Sequence, residues 1–226
     1  MAHRQSISLL AAIGGAAIFV AAGIAAATPV TPPPGATVTT AHPVFTWTLP
    51  ANEESDAVFI ANKPDVTPEG KFYDENIVDL DLVASNVREW SPSSPLYAGD
   101  YWWNVWSNDR DTFASLYSVP SAFTIPVSLR LGGVKITRYR FLHALDVDVR
   151  WTANVRRPLV RVRLLRGRKI VWKASERDFG SIGSVGTTNF TWTRPKRIRQ
   201  GTRLKLIASV SANGLARTHT VVVRAP

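Results

Sequence analysis

From residue 36 onward, apolar positions recur mostly at every second residue, in short runs bounded by Pro, Gly, Asn, Asp or Ser. That spacing predicts half-buried antiparallel strands and no helix. In the first half it places strands at 44–48, 57–61, 78–83, 87–90, 101–107 and 122–125. Residues 63–75 are polar with two prolines and read as a loop, and 108–111 as a turn. Pro126 ends the last of these strands, because proline cannot donate to a central ladder.

The second half alternates more strictly. Leu145, Val147, Val149 and Trp151 point one way, with Asp146, Asp148 and Arg150 opposite. Val160, Val162 and Leu164 form another inner face, with Arg161 and Arg163 outside. Arg166-Gly167-Arg168-Lys169 reads as a hairpin turn, and 170–173 as the returning strand. Phe190 and Trp192 bracket Thr191, and Leu204, Leu206, Ala208 and Val210 give a further inner face. Asn213-Gly214 is a strong hairpin signal because both residues tolerate positive φ. Seven or so short strands in about 100 residues indicate a β-sandwich.

The N-terminus has a different pattern. One arginine, Arg4, precedes an uncharged run at 7–24, and Ala25-Ala26-Ala27 follows. This order is that of a secretory signal peptide, cut before Thr28 or retained as a membrane anchor. Thr28-Pro29-Val30-Thr31-Pro32-Pro33-Pro34-Gly35 then reads as a stiff polyproline-like spacer. The chain has no cysteine. An exported protein without disulfides must stand on its apolar cores, and this usage leans bacterial.

Charge divides the chain at its midpoint. Residues 28–126 carry 4 Lys and Arg against 13 Asp and Glu, and residues 127–226 carry 22 against 4. Two neighbouring segments of opposite sign are most simply two domains in different surroundings.

Three passages of the first half, residues 34–38 with 43–47, 87–90 and 96–105, resemble a bacterial fibronectin type III domain. Pro34-Gly35-Ala36-Thr37-Val38 with Pro43-Val44-Phe45-Thr46-Trp47 resembles the first two strands, Trp47 being the core tryptophan. Val87-Arg88-Glu89-Trp90 resembles the strand before the corner. Leu96-Tyr97-Ala98-Gly99-Asp100-Tyr101-Trp102-Trp103-Asn104-Val105 resembles the corner itself. The resemblance implies that Tyr101 turns its hydroxyl back onto the backbone, with Trp103 in the core. The family's integrin-binding Arg-Gly-Asp is absent. The second half is similar to immunoglobulin-like domains in general. Ile198-Arg199-Gln200-Gly201-Thr202-Arg203-Leu204 repeats the corner spacing without the tyrosine, and Trp151 is its structural tryptophan.

Candidate chemistry is sparse. His3, His42, His143 and His219 are scattered, there is no Gly-x-Ser-x-Gly elbow, and Gly180 to Gly186 lacks the lysine of a phosphate loop. Asp74, Glu75, Asp79 and Asp81 match no calcium loop and read as a solvated acidic face. No catalytic residue, metal or cofactor is assigned. If Tyr101 and Trp103 face inward, Trp102 and Trp106 face outward roughly 13 Å apart, a possible platform for a glycan or a protein partner.

The strongest signal is basic. Arg156, Arg157, Arg161, Arg163, Arg166, Arg168, Lys169 and Lys173 fall on one expected hairpin, with Arg197 and Arg199 near the second corner. Guanidinium groups bind phosphate and carboxylate through paired donors, so such an array suits a polyanion. Asp146 and Asp148, placed across a strand pair, are the carboxylates that would offset it.

The expected protein is all-β, with two tandem antiparallel β-sandwich domains, fibronectin type III-like and then immunoglobulin-like, after an N-terminal signal helix. The boundaries are 1–27 for the signal or anchor, 28–35 for the spacer, 36–126 and 127–226. The expected function is non-enzymatic adhesion or structure at a bacterial cell envelope. The basic domain would contact an anionic cell-wall polymer, an acidic glycan or lipid head groups. The alternative is glycan binding by the Trp102/Trp106 face. Another protein, or head-to-tail self-association of acidic with basic domain, is a further partner class, and export argues against nucleic acid.

Overall fold

The computed structural model describes residues 26–178, 182 and 185–226, so the expected signal segment and most of the glycine-rich 180–186 stretch lie outside the described residues. The first nine strands are β1 (Thr28–Thr31), β2 (Ala36–Thr37), β3 (Phe45–Thr48), β4 (Glu53–Ala61), β5 (Ile77–Leu82), β6 (Glu89–Trp90), β7 (Gly99–Asp109), β8 (Ser115–Tyr117) and β9 (Ser121–Ile125). They form a β1-β3-β6 sheet and a β2-β9-β7-β4-β5 sheet, with β8 on the far end of β7. Among the described strands only the two-residue β2–β9 pairing is parallel. The next seven are β10 (Leu129–Tyr139), β11 (Ala144–Ala153), β12 (Leu159–Arg166), β13 (Lys169–Arg177), β14 (Gly186–Thr193), β15 (Arg203–Ala212) and β16 (Leu215–Arg224). They form a β10-β11-β14 sheet and a β13-β12-β15-β16 sheet.

The two halves share one connectivity. In each, the first, second and fifth strands make one sheet, and the fourth, third, sixth and seventh lie in that order in the other. This holds when β1 and β2 are counted as one strand that changes sheets and β8 is set aside. The tyrosine corner is present in the first half, where the Tyr101 hydroxyl donates to the Tyr97 carbonyl at 2.9 Å. In the second half Ile198 is buried at the position of Leu96, and Arg203 stands where the tyrosine would be. There the Thr202 hydroxyl closes the corner on the Arg199 carbonyl at 2.6 Å.

Each half has its own core. Phe45, Trp47, Val58, Ile60, Trp103, Val105, Phe123 and Ile125 fill the first. The Trp47 indole donates to Ser55 Oγ at 3.1 Å, which satisfies its buried N–H. Leu145, Val147, Val149, Trp151, Val160, Val162, Leu164, Leu204, Leu206, Ala208 and Val210 fill the second. The residues of this second core are the inward positions of the expected alternation.

Four expectations need correction. The spacer 28–35 is built into the fold: Thr28 and Pro29 pair with Thr48 and Trp47, and the Pro32 carbonyl accepts from Trp103 Nε1 and from Ser121 Oγ, both at 3.3 Å. Strand β10 was not expected, because Gly132-Gly133 interrupts its alternation where the register shifts against β11. Strand β5 is inverted. Asp79 and Asp81 lie beside buried Ile60 and Val58, while Leu80 and Leu82 stand beside Phe59 and Ala57 on the outer face, with Leu82 75% exposed. Finally, that outer face holds a small second core of Ala57, Phe59, Ala61 and Phe72, packed by Val66, Trp102, Trp106 and Tyr117.

Gly186 sits opposite Trp151, and a Cβ there would lie 2.3 Å from Trp151 Cζ2. The indole is fully buried and donates to Thr188 Oγ1 at 3.0 Å, so it has no room to swing away. Gly186→Ala is expected to destabilise the second half by about 2–3 kcal/mol, read as a lower denaturant midpoint. Tyr101→Phe is expected to cost about 1 kcal/mol in the first half without changing the denaturant slope.

Candidate functional site

The basic residues named from the sequence separate into three places. Arg161 and Arg163 on β12 and Lys173 on β13 share the outer face of the four-stranded sheet, since Val160, Val162 and Leu164 occupy the inner one. Arg163 stands directly opposite Lys173. With Ile170, Ala174 and Ser175 they line a shallow groove of about 550 Å3. Like charges placed opposite one another oppose pairing, so this arrangement works against the hairpin that carries it.

Arg166, Arg168 and Lys169 form the turn at the end of that hairpin, and Arg197 and Arg199 lie in the β14–β15 connection; all five are exposed. Leu165 pairs with Lys205 near the start of β15, so this turn and that connection are at the same end of the sandwich.

Arg156 and Arg157 are at the other end, before β12 begins, and are corrected out of the array. The Arg156 guanidinium lies 4.9 Å from the Tyr97 ring centroid, a cation–π contact with the first half. Asn154 completes this junction. Its side chain accepts from the Ser128 amide at 2.7 Å and donates to the Pro126 carbonyl at 2.9 Å. Its own carbonyl accepts from the Ala98 amide at 2.8 Å. Arg157 lines a separate depression beside Arg177 and the Asn213-Gly214 turn.

The offsetting carboxylates are not across a strand pair from the array. Asp146 and Asp148 are on β11 in the opposite sheet, where they accept from Thr191 Oγ1 and Asn189 Nδ2, each at 2.7 Å. Asp178, at the junction end of β13, accepts from Thr188 Oγ1 at 2.7 Å. Glu176 is near that same end, paired with Val160. Among the described residues, ion pairs occur at Lys71–Asp74 (2.8 Å) and Arg110–Glu54 (2.6 Å), both in the first half.

The aromatic platform takes a different form from the one expected. Trp102 and Trp106 do face outward, but the 63–73 loop and β8 lie over them. Asn104 between them is fully buried and donates to the Gly70 carbonyl at 2.9 Å. Trp106 stacks on Tyr117 with centroids 6.1 Å apart. Both tryptophans are half-buried walls of the second small core. The acidic residues are dispersed as well. Asp74 pairs with Lys71, and Asp81 accepts from the Trp90 indole at 2.9 Å. Among the described residues no three His, Cys, Asp or Glu side chains converge for a metal. The array face was legible from alternation, whereas the loop over the tryptophans had no local signal.

No family model matches the chain, and no curated protein matches it. Solved structures similar to it include the chicken CNTN1 FN1-FN3 domains, at 13% identity, covering 85% of this chain and 68% of that one, with a TM-score of 0.29. The chicken interferon gamma receptor alpha chain is 10% identical, with 90% and 99% coverage and a TM-score of 0.31. Dimeric latent PorU from Porphyromonas gingivalis is 13% identical, with 90% and 21% coverage and a TM-score of 0.32. The fold described above rests on strand pairing itself.

The inverted strand β5 has a measurable consequence. Burial raises the Asp79 pKa above its ordinary value, reinforced by the neighbouring Asp81 charge and opposed by the Leu80 amide. A raised carboxylate pKa means that the folded state holds the proton more tightly than the unfolded one. Its contribution to stability therefore falls as pH rises from the ordinary Asp range through the folded pKa. Asp79→Asn is expected to remove that fall, so that the variant gains stability relative to the parent as pH rises and is the more stable at pH 7, read by denaturant midpoints of both proteins between pH 3 and 7.

Proposed function

We propose that this chain is a non-enzymatic, extracytoplasmic binding protein whose second sandwich docks on an anionic polymer or surface. One observation carries the reading: the outer face of β12 and β13, with the turn joining them, presents Arg161, Arg163, Arg166, Arg168, Lys169 and Lys173, while Asp146 and Asp148 are in the opposite sheet, Asp178 lies beyond β13, and Glu176 is at the junction end of β13, paired with the inward Val160. A face that only needed to be soluble would mix both signs. This one keeps like charges opposed across the hairpin, so an external anion is the partner that relieves the repulsion. Cell-wall polymers, acidic glycans and lipid head groups share the required chemistry: repeated phosphate or carboxylate groups that accept paired guanidinium donors. The first half acts as spacer or protein-binding module. Trp102 and Trp106 are half-buried beneath the 63–73 loop and β8, which speaks against the open sugar platform on which the glycan reading depends.

The test is binding of residues 26–226, which contain all the described strands and both cores, to isolated cell walls and to polyphosphate across a salt series. The affinity for polyphosphate is expected to fall steeply with salt. Replacing Arg161, Arg163, Arg166 and Arg168 with Gln is expected to weaken it at least ten-fold and to flatten the salt dependence, while Arg156→Gln leaves it unchanged. Binding indifferent to both salt and the fourfold change removes the proposal.

A further inference from the structure

The end of the second sandwich remote from the first half carries two exposed apolar side chains. Strands β10 and β11 are joined by the turn Arg140-Phe141-Leu142-His143, closed by the His143 amide on the Arg140 carbonyl at 3.2 Å. Phe141 is 101% exposed and Leu142 69% exposed. They occupy the two apex positions of the turn, where side chains project furthest. The turn is held from behind. His143 takes a positive φ of 50°, its carbonyl accepts from the Arg194 amide at 2.7 Å, and the Arg194 guanidinium lies 3.2 Å from His143 Nδ1.

Strand direction shows what surrounds this apex. Ala144 pairs with Thr193, so the β14–β15 connection starts beside the turn. Arg203 at the end of that connection pairs with Arg224, and the Arg166–Lys169 turn ends at the same level. The segments at this end, 138–143, 165–170, 194–205 and 222–226, contain 12 Lys and Arg and no Asp or Glu. Asp146 on β11, bonded to Tyr139, is the next carboxylate along the chain. An apolar pair at the apex of turns and connections whose charged side chains are all cations is costly in water and fits an anionic head-group layer over hydrocarbon. A soluble polyanion would use the charges and leave Phe141 and Leu142 in solvent.

We infer that this end is a membrane-docking tip, with Phe141 and Leu142 entering the interface of an anionic bilayer while Arg138, Arg140, Arg168, Arg197 and Arg199 hold the head groups. The inference rests on the polyanion reading and narrows it to a lipid surface. A hydrophobic insert with a basic surround gives two weak anchors that act together, as reversible membrane binding requires.

The absence of native cysteine permits a clean test. Phe141→Cys in residues 26–226 is labelled with an environment-sensitive fluorophore and mixed with vesicles of phosphatidylcholine, alone or with 30% phosphatidylglycerol, and with soluble polyphosphate. A blue shift on the anionic vesicles, and none with neutral vesicles or polyphosphate, is expected. Phe141→Ser with Leu142→Ser is expected to lower anionic-vesicle affinity by roughly ten- to a hundred-fold and to leave polyphosphate affinity unchanged. Each of Arg140→Gln and Arg197→Gln is expected to cost roughly five-fold on vesicles. If the double serine variant binds anionic vesicles as the parent does, or the label stays in water on bound vesicles, the tip does not insert, although polyphosphate binding keeps the broader reading alive. If neither vesicles nor polyphosphate are bound at low salt, both fail.

Discussion

The packing of two sheets face to face governs everything else in this protein. Each strand can send only alternate side chains into the space between the sheets, and in β11, β12 and β15 those places are taken by Val, Leu, Ala and Trp. The remaining positions must face solvent. Arg161 and Arg163 are outside because Val160, Val162 and Leu164 are inside. A one-residue slip of β12 would bury two guanidinium groups without partners, which fixes the register more firmly than the ladder hydrogen bonds alone.

The same constraint explains how much could be read directly from the residues. Where one face is apolar and the other polar, as in β11 and β12, inner and outer residues were legible to the position. Where both faces are covered, alternation loses its meaning. On β5 the register against β4 sets the faces: Leu80 and Leu82 stand beside Phe59 and Ala57 on the outer side, largely in solvent, and Asp79 is left on the core side. The loop that covers Trp102 and Trp106 leaves no trace in the β7 pattern, because its contacts come from residues some 30 to 40 positions away, such as Gly70 to Asn104. Prolines concealed β1 and a glycine pair concealed β10.

The candidate site was legible as composition but not as geography. Ten cations named from a linear sequence look like one cluster. Antiparallel connectivity sends Arg156 and Arg157 to one end and Arg166, Arg168, Arg197 and Arg199 to the other, with Arg161, Arg163 and Lys173 between. It also draws Phe141 and Leu142 beside the far group, although neither stands out in the sequence. Their meaning comes from strands that end at the same level.

The junction between the halves is held by a ring under Arg156 and by amide and carbonyl groups around Asn154, not by opposed carboxylates and cations. Contacts of that kind change little with ionic strength, whereas attraction between exposed ions fades beyond ~8 Å in physiological salt. Concentrated salt should therefore leave this junction undisturbed, even where it releases the basic face from an anion bound as proposed.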